Sequence, residues 1–210
     1  HHMFGTDKRK VFFVLKRNQA NIPESFISYY LYEKRIMTHT SINIKEIGVG
    51  DKVQLQKISS QTFVETFSES NTKEDMDRYL QENLNLEVLE AEIRNESSFF
   101  YFAISNNDII GYLKLNSGSA QTELNDIQAI EIERIYILKD YHGQKIGQLL
   151  YEKAIEVAHK INAKYIWLGV WEKNFKAIRF YKKNGFMEFD KHIFKLGNDE
   201  QTDIMMKLIL

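Results

Sequence analysis

The 210-residue sequence predicts an α/β (α+β) domain, with a central, mixed but mostly antiparallel sheet flanked by helices. Three observations point there. Short strand-like runs recur through the second half, two of them separated by the turn signal Asn106-Asn107-Asp108. Two longer segments carry apolar residues at helical spacing, Asp51 to Phe67 and Gly143 to Ile161. Between residues 132 and 147, IERIYILKDYHGQKIG reads as an apolar strand, a glycine-bearing turn and the start of a helix.

Taken in order, Ser41 to Ile47 alternates apolar and polar residues, as a half-buried strand does. Asp51 to Phe67 is helical through Val53, Leu55, Ile58, Phe63, Val64 and Phe67. Asn71-Thr72 precedes KEDMDRYL, a short helix with acids in its first turn, where the helix dipole favours them. Leu86 to Ile93 is a second short helix. Ser98 to Ser105 and Ile109 to Leu115 form the hairpin, and Ile127 to Leu138 is a long strand. The helix from Gly143 to Ile161 places Ile146, Leu149, Leu150, Ala154, Val157, Ala158 and Ile161 on one face. Lys164 to Val170 is a strand, Asn174 to Lys183 a helix, and Phe186 to Leu196 with Gln201 to Ile209 a final antiparallel pair.

Composition narrows the function. A formal net charge of −1 provides no global field towards nucleic acid or an anionic membrane. With no cysteine, disulfides, thiol nucleophiles and thiolate metal sites are excluded, which suits a reducing cytoplasm. No apolar run reaches the length of a membrane span. His39, His142, His159 and His192 show no metal-ligand spacing, so no metal is expected.

The strand–turn–helix unit is an anion site in outline, because the first amides of a helix lack intrahelical partners and point beyond its end. About 30 residues on, NFKAIRFYKKNGF has the form N-x-x-A-x-x-x-Y-x-x-x-G-F, with Asn174, Ala177, Tyr181 and Gly185 at the marked positions. Together these segments resemble the acetyl-CoA cradle of the GNAT superfamily of N-acetyltransferases. QKISSQTFVETF, EDMDRYL, IEIERIYI, YIWLGVWEKN, AIRFYKKNGF and GNDEQTDIMMK, in that order, resemble the PaiA-type spermidine/spermine N-acetyltransferases. The resemblance spans roughly residues 41–209. It implies a twisted sheet whose parallel fourth and fifth strands splay apart to admit acetyl-CoA, and an enzyme acetylating primary amines.

The resemblance also implies roles. His142, Gly143, Gln144, Lys145, Ile146, Gly147 and Gln148 would grip the CoA pyrophosphate, although His142 and Lys145 depart from the family's Gln/Arg and middle glycine. The backbone of Ile135, Tyr136 and Ile137 would meet pantetheine and the thioester oxygen, and Asn174 would contact pantetheine besides capping its helix. Tyr181 would protonate the departing sulfur; a phenol with pKa near 10 keeps its proton at neutral pH. Glu133 is the expected general base with Glu172 in reserve, and simple alternation puts Glu131, Glu133 and Ile135 on one face. Glu65, Glu69, Glu131 and Glu172 are candidates for meeting the substrate, and Glu65 and Glu69 with Glu74, Asp75 and Asp77 for a polyamine-facing wall. Direct attack is expected, with a small-molecule amine as partner, no nucleic acid and no membrane; a homodimer is left open. The alternatives are a peptide, protein or other small-amine acceptor, and a non-catalytic acyl-CoA-binding regulator.

His1-His2-Met3 reads as a tag remnant, and residues 4–36, aromatic and basic, as an N-terminal extension to an acetyltransferase domain at 37–210.

Overall fold

The hairpin signal is realised in its tightest form. Asn106 and Asn107 both take positive φ (51° and 70°), a two-residue turn whose twist matches its strands, and Ser105 pairs with Asp108 across it. In the computed structural model, which describes residues 42–196 and 199–210, this hairpin lies within the compact unit Ser41–Leu210. The expectations for residues 1–36, and the start of the domain at 37, lie outside the described residues.

The elements run β1 (Asn43–Glu46), α1 (Lys52–Phe67), α2 (Lys73–Asn83), α3 (Leu86–Arg94), β2 (Ser98–Ser105), β3 (Asp108–Ser117), β4 (Ala129–Ile137), α4 (Ile146–Lys160), β5 (Tyr165–Trp171), α5 (Phe175–Lys183), β6 (Met187–Leu196) and β7 (Asp199–Ile209). Among the described residues the seven strands are ordered β1-β2-β3-β4-β5-β7-β6, and only β4 and β5 are parallel neighbours. A mostly antiparallel sheet with one parallel step is the expected architecture. α2 and α3 start where side chains satisfy early amides: Thr72 accepts from Asp75 N–H (3.1 Å) and Asn85 from Val88 N–H (2.9 Å).

The sheet separates two cores. On one face, Leu55, Ile58, Phe63 and Leu89 of α1 and α3 pack on Phe100, Phe102 and Tyr112. On the other, Ile146, Leu150, Ala154 and Val157 of α4, with Ile178 and Tyr181 of α5, pack on Ile130, Ile132, Ile166 and Leu168.

Several expected boundaries move, each for a local reason. The α4 helix begins at Ile146 instead of Gly143, because Gly143 and Lys145 adopt left-handed φ of 83° and 64°. Strand β4 begins at Ala129: the Asp126 carboxylate accepts from Gln128 N–H (2.8 Å), turning the chain, and Ile127 is 89% exposed.

Simple alternation also fails in β4. Lys114 pairs with Arg134 and Leu115 with Ile132, which leaves Glu133 without a ladder partner in a β-bulge. Ile130 and Ile132 therefore share a face with Ile135 and Ile137, while Tyr136 packs on the opposite core. Glu131 and Glu133 do lie together, both reaching Asn116, but Ile135 points away from them.

Candidate active site

β4 and β5 pair only at Ala129–Tyr165, Ile130–Ile166 and Glu131–Trp167, and then diverge. Among the described residues, β4 from Ile132 to Ile137 is laddered to β3 alone, so its other edge faces a gap. The gap is a cavity of about 360 Å³ that runs through the sheet. Ile135, Val170 and Tyr181 line it from one face, and Glu133, Trp171 and Asp203 from the other. Gly169 is exposed between buried Leu168 and Val170, marking where the gap opens.

At the C-terminal end of β4, the turn to α4 is clamped in place. A ring nitrogen of His142 lies 2.9 Å from the Ile137 carbonyl, and a Cβ on Gly147 would stand 3.3 Å from the Ile137 side chain. The first bonds of α4 come from the N–H groups of Gln148 (3.0 Å) and Leu149 (3.3 Å), both to the Lys145 carbonyl. The preceding amides are those a helix start leaves without intrahelical acceptors, and His142 to Lys145 are exposed. An exposed nest of amides at the positive end of a fifteen-residue helix suits a phosphate group. Lys145 takes the left-handed conformation that glycine would hold without strain.

Asn174 caps α5, accepting from Ala177 N–H at 3.1 Å, and it lines the cleft. Tyr181, two turns further along, is 6% exposed and packs against Phe180 and Phe186 while also bordering the gap. Burial raises its pKa well above that of a free phenol, so it stays protonated at neutral pH. Core packing and a place beside the cavity coexist in this one residue.

The acids separate into different environments. Glu133 lies 2.6 Å from Lys114 and 2.9 Å from Arg134, and accepts from Asn116 at 2.5 Å. Glu92 completes the cluster, 2.7 Å from Lys114 and bidentate to Arg134 at 2.9 Å on both oxygens. Burial by itself would push the Glu133 carboxyl up, but Arg134 and Lys114 more than reverse this and hold it below its ordinary value. A carboxylate so paired is a poor proton acceptor, and the geometry argues against the base role expected of Glu133. Glu131 is buried at the floor of the cleft, accepting from Thr122 N–H (2.9 Å) and Thr122 Oγ1 (2.5 Å); burial raises it, with the Thr122 bonds opposing.

The expected acidic wall disperses. Glu65 accepts from Lys139 N–H at 2.7 Å and so braces the turn after β4. Asp75 accepts from the capping Thr72 hydroxyl (2.7 Å), Asp77 pairs with Lys73 (2.5 Å), and Glu74 lies 3.5 Å from Arg78. Glu69 is exposed just past α1, and Glu172, half-buried beyond β5, sends its N–H to Thr202. The far wall instead comes from Trp171, His192 and Asp203, which sequence reasoning missed. Their signal was faint: Gln201, Asp203 and Met205 alternate in the last strand, with an acid in the middle of one face.

Among the described residues no helix is long and apolar enough to cross a membrane, and no His/Asp/Glu group has metal-site geometry.

Residues 55–186 match the acetyltransferase (GNAT) family model. An uncharacterized N-acetyltransferase of Lactobacillus delbrueckii subsp. lactis is 39% identical over 171 residues, 81% of this chain and 99% of that protein. A spermidine N(1)-acetyltransferase of Thermoplasma acidophilum is 26% identical over 80% of this chain and 96% of its own length. Among solved structures, a PaiA N-acetyltransferase from Thermoplasma acidophilum, crystallised with coenzyme A, superposes with a TM-score of 0.68 at 24% identity, covering 81% of this chain and 99% of that one. The match over most of the described residues, with the splayed β4–β5 gap, establishes that the chain belongs to the acetyltransferase (GNAT) family and is an N-acetyltransferase using acetyl-CoA.

Proposed function

We propose that this enzyme acetylates a primary amine of a polyamine or a similar small polycation, which enters the β4–β5 gap from the face carrying Glu133 and Asp203. The observation that carries this reading is the asymmetry of the gap. Glu123, Glu131, Glu133 and Asp203 line it against Arg134 and His192, with acids outnumbering bases on the side away from α4 and α5. Such a mouth attracts cations and disfavours anionic acceptors. The likeness to a protein named spermidine N(1)-acetyltransferase points the same way.

Acetyl-CoA supplies a thioester-activated acetyl group. The amides around Gly143 to Gly147 would hold its pyrophosphate at the α4 terminus. The free edge of β4 at Ile135, Tyr136 and Ile137 offers backbone donors to pantetheine and to the thioester oxygen, where each donor is worth about 3 kcal/mol in acyl transfer. Asn174 fixes the start of α5, and through it the position of Tyr181. Tyr181, protonated and at the edge of the gap, supplies the proton that sulfur takes on leaving. Gripping both reactants across one gap supplies much of the remaining acceleration. With no cysteine in the chain, the amine attacks directly.

Thiol release from acetyl-CoA, measured across spermidine, spermine, putrescine, free lysine and a peptide N-terminus, tests the acceptor. The polyamines are expected to give the highest kcat/KM. Preference for the peptide would replace the polyamine reading, and acetyl-CoA binding without turnover on any amine would favour a regulator. Tyr181→Phe, tested on the best amine, should cut turnover by about 10²-fold, the low end for acid catalysis. Full activity would make Tyr181 a packing residue only.

A further inference from the structure

The acids around the acceptor mouth differ in what already holds them. Glu133 is committed to Lys114 and Arg134, Glu131 to Thr122, and Glu123 to His192 at 3.2 Å. Asp203 stands apart. It lies on β7, directly opposite Trp171 of β5 and His192 of β6, and lines the same cavity as Tyr181. Among the described residues no side chain hydrogen-bonds its carboxylate; its charged neighbour is His192 across the ladder.

Its surroundings give this carboxylate access to the gap. Its Oδ2 would lie 3.4 Å from a Cβ on Gly169, so the missing side chain there leaves the carboxylate uncovered at the point where β5 parts from β4. Gly169 and Asp203 project to the same face, since Gly169 pairs with Met205 and Trp171 with Asp203. A partly buried carboxylate with no committed partner, beside an opening to the reaction gap, matches an incoming ammonium.

We propose that the Asp203 carboxylate receives the acceptor's ammonium at this mouth and takes the proton that must leave before nitrogen can attack. The proposal rests on the amine-acetylation reading above. One ammonium proton passes to Asp203 and on to solvent. The second leaves nitrogen as the C–N bond forms and the C–S bond breaks, and it replaces the proton that Tyr181 delivers to sulfur. Protons and charge then balance to amide, thiol and one released proton.

Burial raises the Asp203 carboxyl to about 6, with His192 opposing, which brings it closer to neutral pH than an ordinary carboxyl. The other titratable groups facing this cavity are His192, Glu123, Glu131, Glu133, Arg134, Tyr79, Tyr112, Tyr136 and Tyr181. Glu133 is held low and the four tyrosines high, which takes these five out of the range near 6. Burial raises Glu131 as well, and His192 faces Asp203 across the ladder, so Glu131→Gln and His192→Gln controls are both needed.

The test is steady-state thiol release by the full chain, with Asp203→Asn and the parent compared on the parent's best amine from pH 5 to 9. In the parent, kcat/KM for the amine should fall below about pH 6, and this limb should survive both His192→Gln and Glu131→Gln. In Asp203→Asn the limb should vanish, the neutral-pH value should drop by about 10²-fold, and the KM for acetyl-CoA should hold within about twofold. An Asp203→Asn variant that keeps the parent's rate and acid limb overturns the proposal, as does loss of the limb in His192→Gln or Glu131→Gln alone. A parent inactive on every amine would instead defeat the amine-acetylation reading, and this proposal with it. Should Asp203→Asn fail to fold, Gly169→Ala decides, since its methyl meets Asp203 at an ordinary contact distance. It should raise the KM for the amine at least threefold, by an order-of-magnitude steric argument, and spare that for acetyl-CoA; an unchanged amine KM overturns the proposal.

Discussion

The two ends of the gap are built from different chemistry. At the α4 end the groups on offer are backbone amides, held by a left-handed turn and a helix start. On the face carrying Glu133 and Asp203 they are side-chain carboxylates, and what each can do depends on what stands beside it. The first arrangement tolerates changes of side chain: His142 and Lys145 depart from the family pattern, yet the turn is formed, and His142 even braces it against Ile137. The second does not. Lys114 and Arg134 convert Glu133 from a candidate base into one corner of a buried ionic cluster.

If that contrast is right, disturbing the charged end should cost most. Lys114, 4% exposed, neutralises both Glu92 and Glu133, and Lys114→Met would leave the two carboxylates sharing Arg134. Breaking a buried pair in this way costs about 3–5 kcal/mol, so denaturant unfolding should show a large loss. A loss under about 1 kcal/mol would mean that the cluster is well hydrated and the contrast overstated.

Glu133→Gln probes the same cluster more gently and separates pairing from catalysis. It should destabilise the protein by about 1–3 kcal/mol, the cost of leaving buried charged groups undercompensated. The sign with pH follows from the depressed pKa: the stability Glu133 contributes is full above the ordinary carboxyl pKa near 4.3 and is lost as pH falls through its lower folded value. The difference in stability between parent and variant should therefore shrink below about pH 4. The acid limb of the pH–rate profile should stay where the parent has it, and its loss in Glu133→Gln would return Glu133 to the base role.

The smallest effect belongs to the backbone end. Lys145→Gly removes a side chain from a φ of 64°, which relieves about 1 kcal/mol of left-handed strain and is partly offset by the greater freedom of glycine when unfolded. Calorimetry should find acetyl-CoA affinity within about threefold of the parent, because the amides remain in place. A larger loss would show that the Lys145 charge, and not the backbone alone, holds the phosphates.

The same contrast explains what could be read early. Fold class, element order and the turn before α4 were legible because they depend on local periodicity and on glycine spacing, which neighbouring residues encode. Asn174 as a helix cap was legible for the same reason, since its partner lies three residues away. The face of Ile135 was not, because the bulge at Glu133 is a mismatch between two strands and no single strand records it. Nor were Asp203 and Gly169 recognisable as neighbours, being brought together by the insertion of β7 between β5 and β6.

By itself, then, the sequence determined the strand, turn and helix units and their order, all through interactions within a few residues. Only the tertiary structure decided which carboxylates are free. Lys114, Glu133 and Glu92 come from separate elements, β3, β4 and α3, and a charge acquires its basicity from the partners and water left around it once those elements have packed.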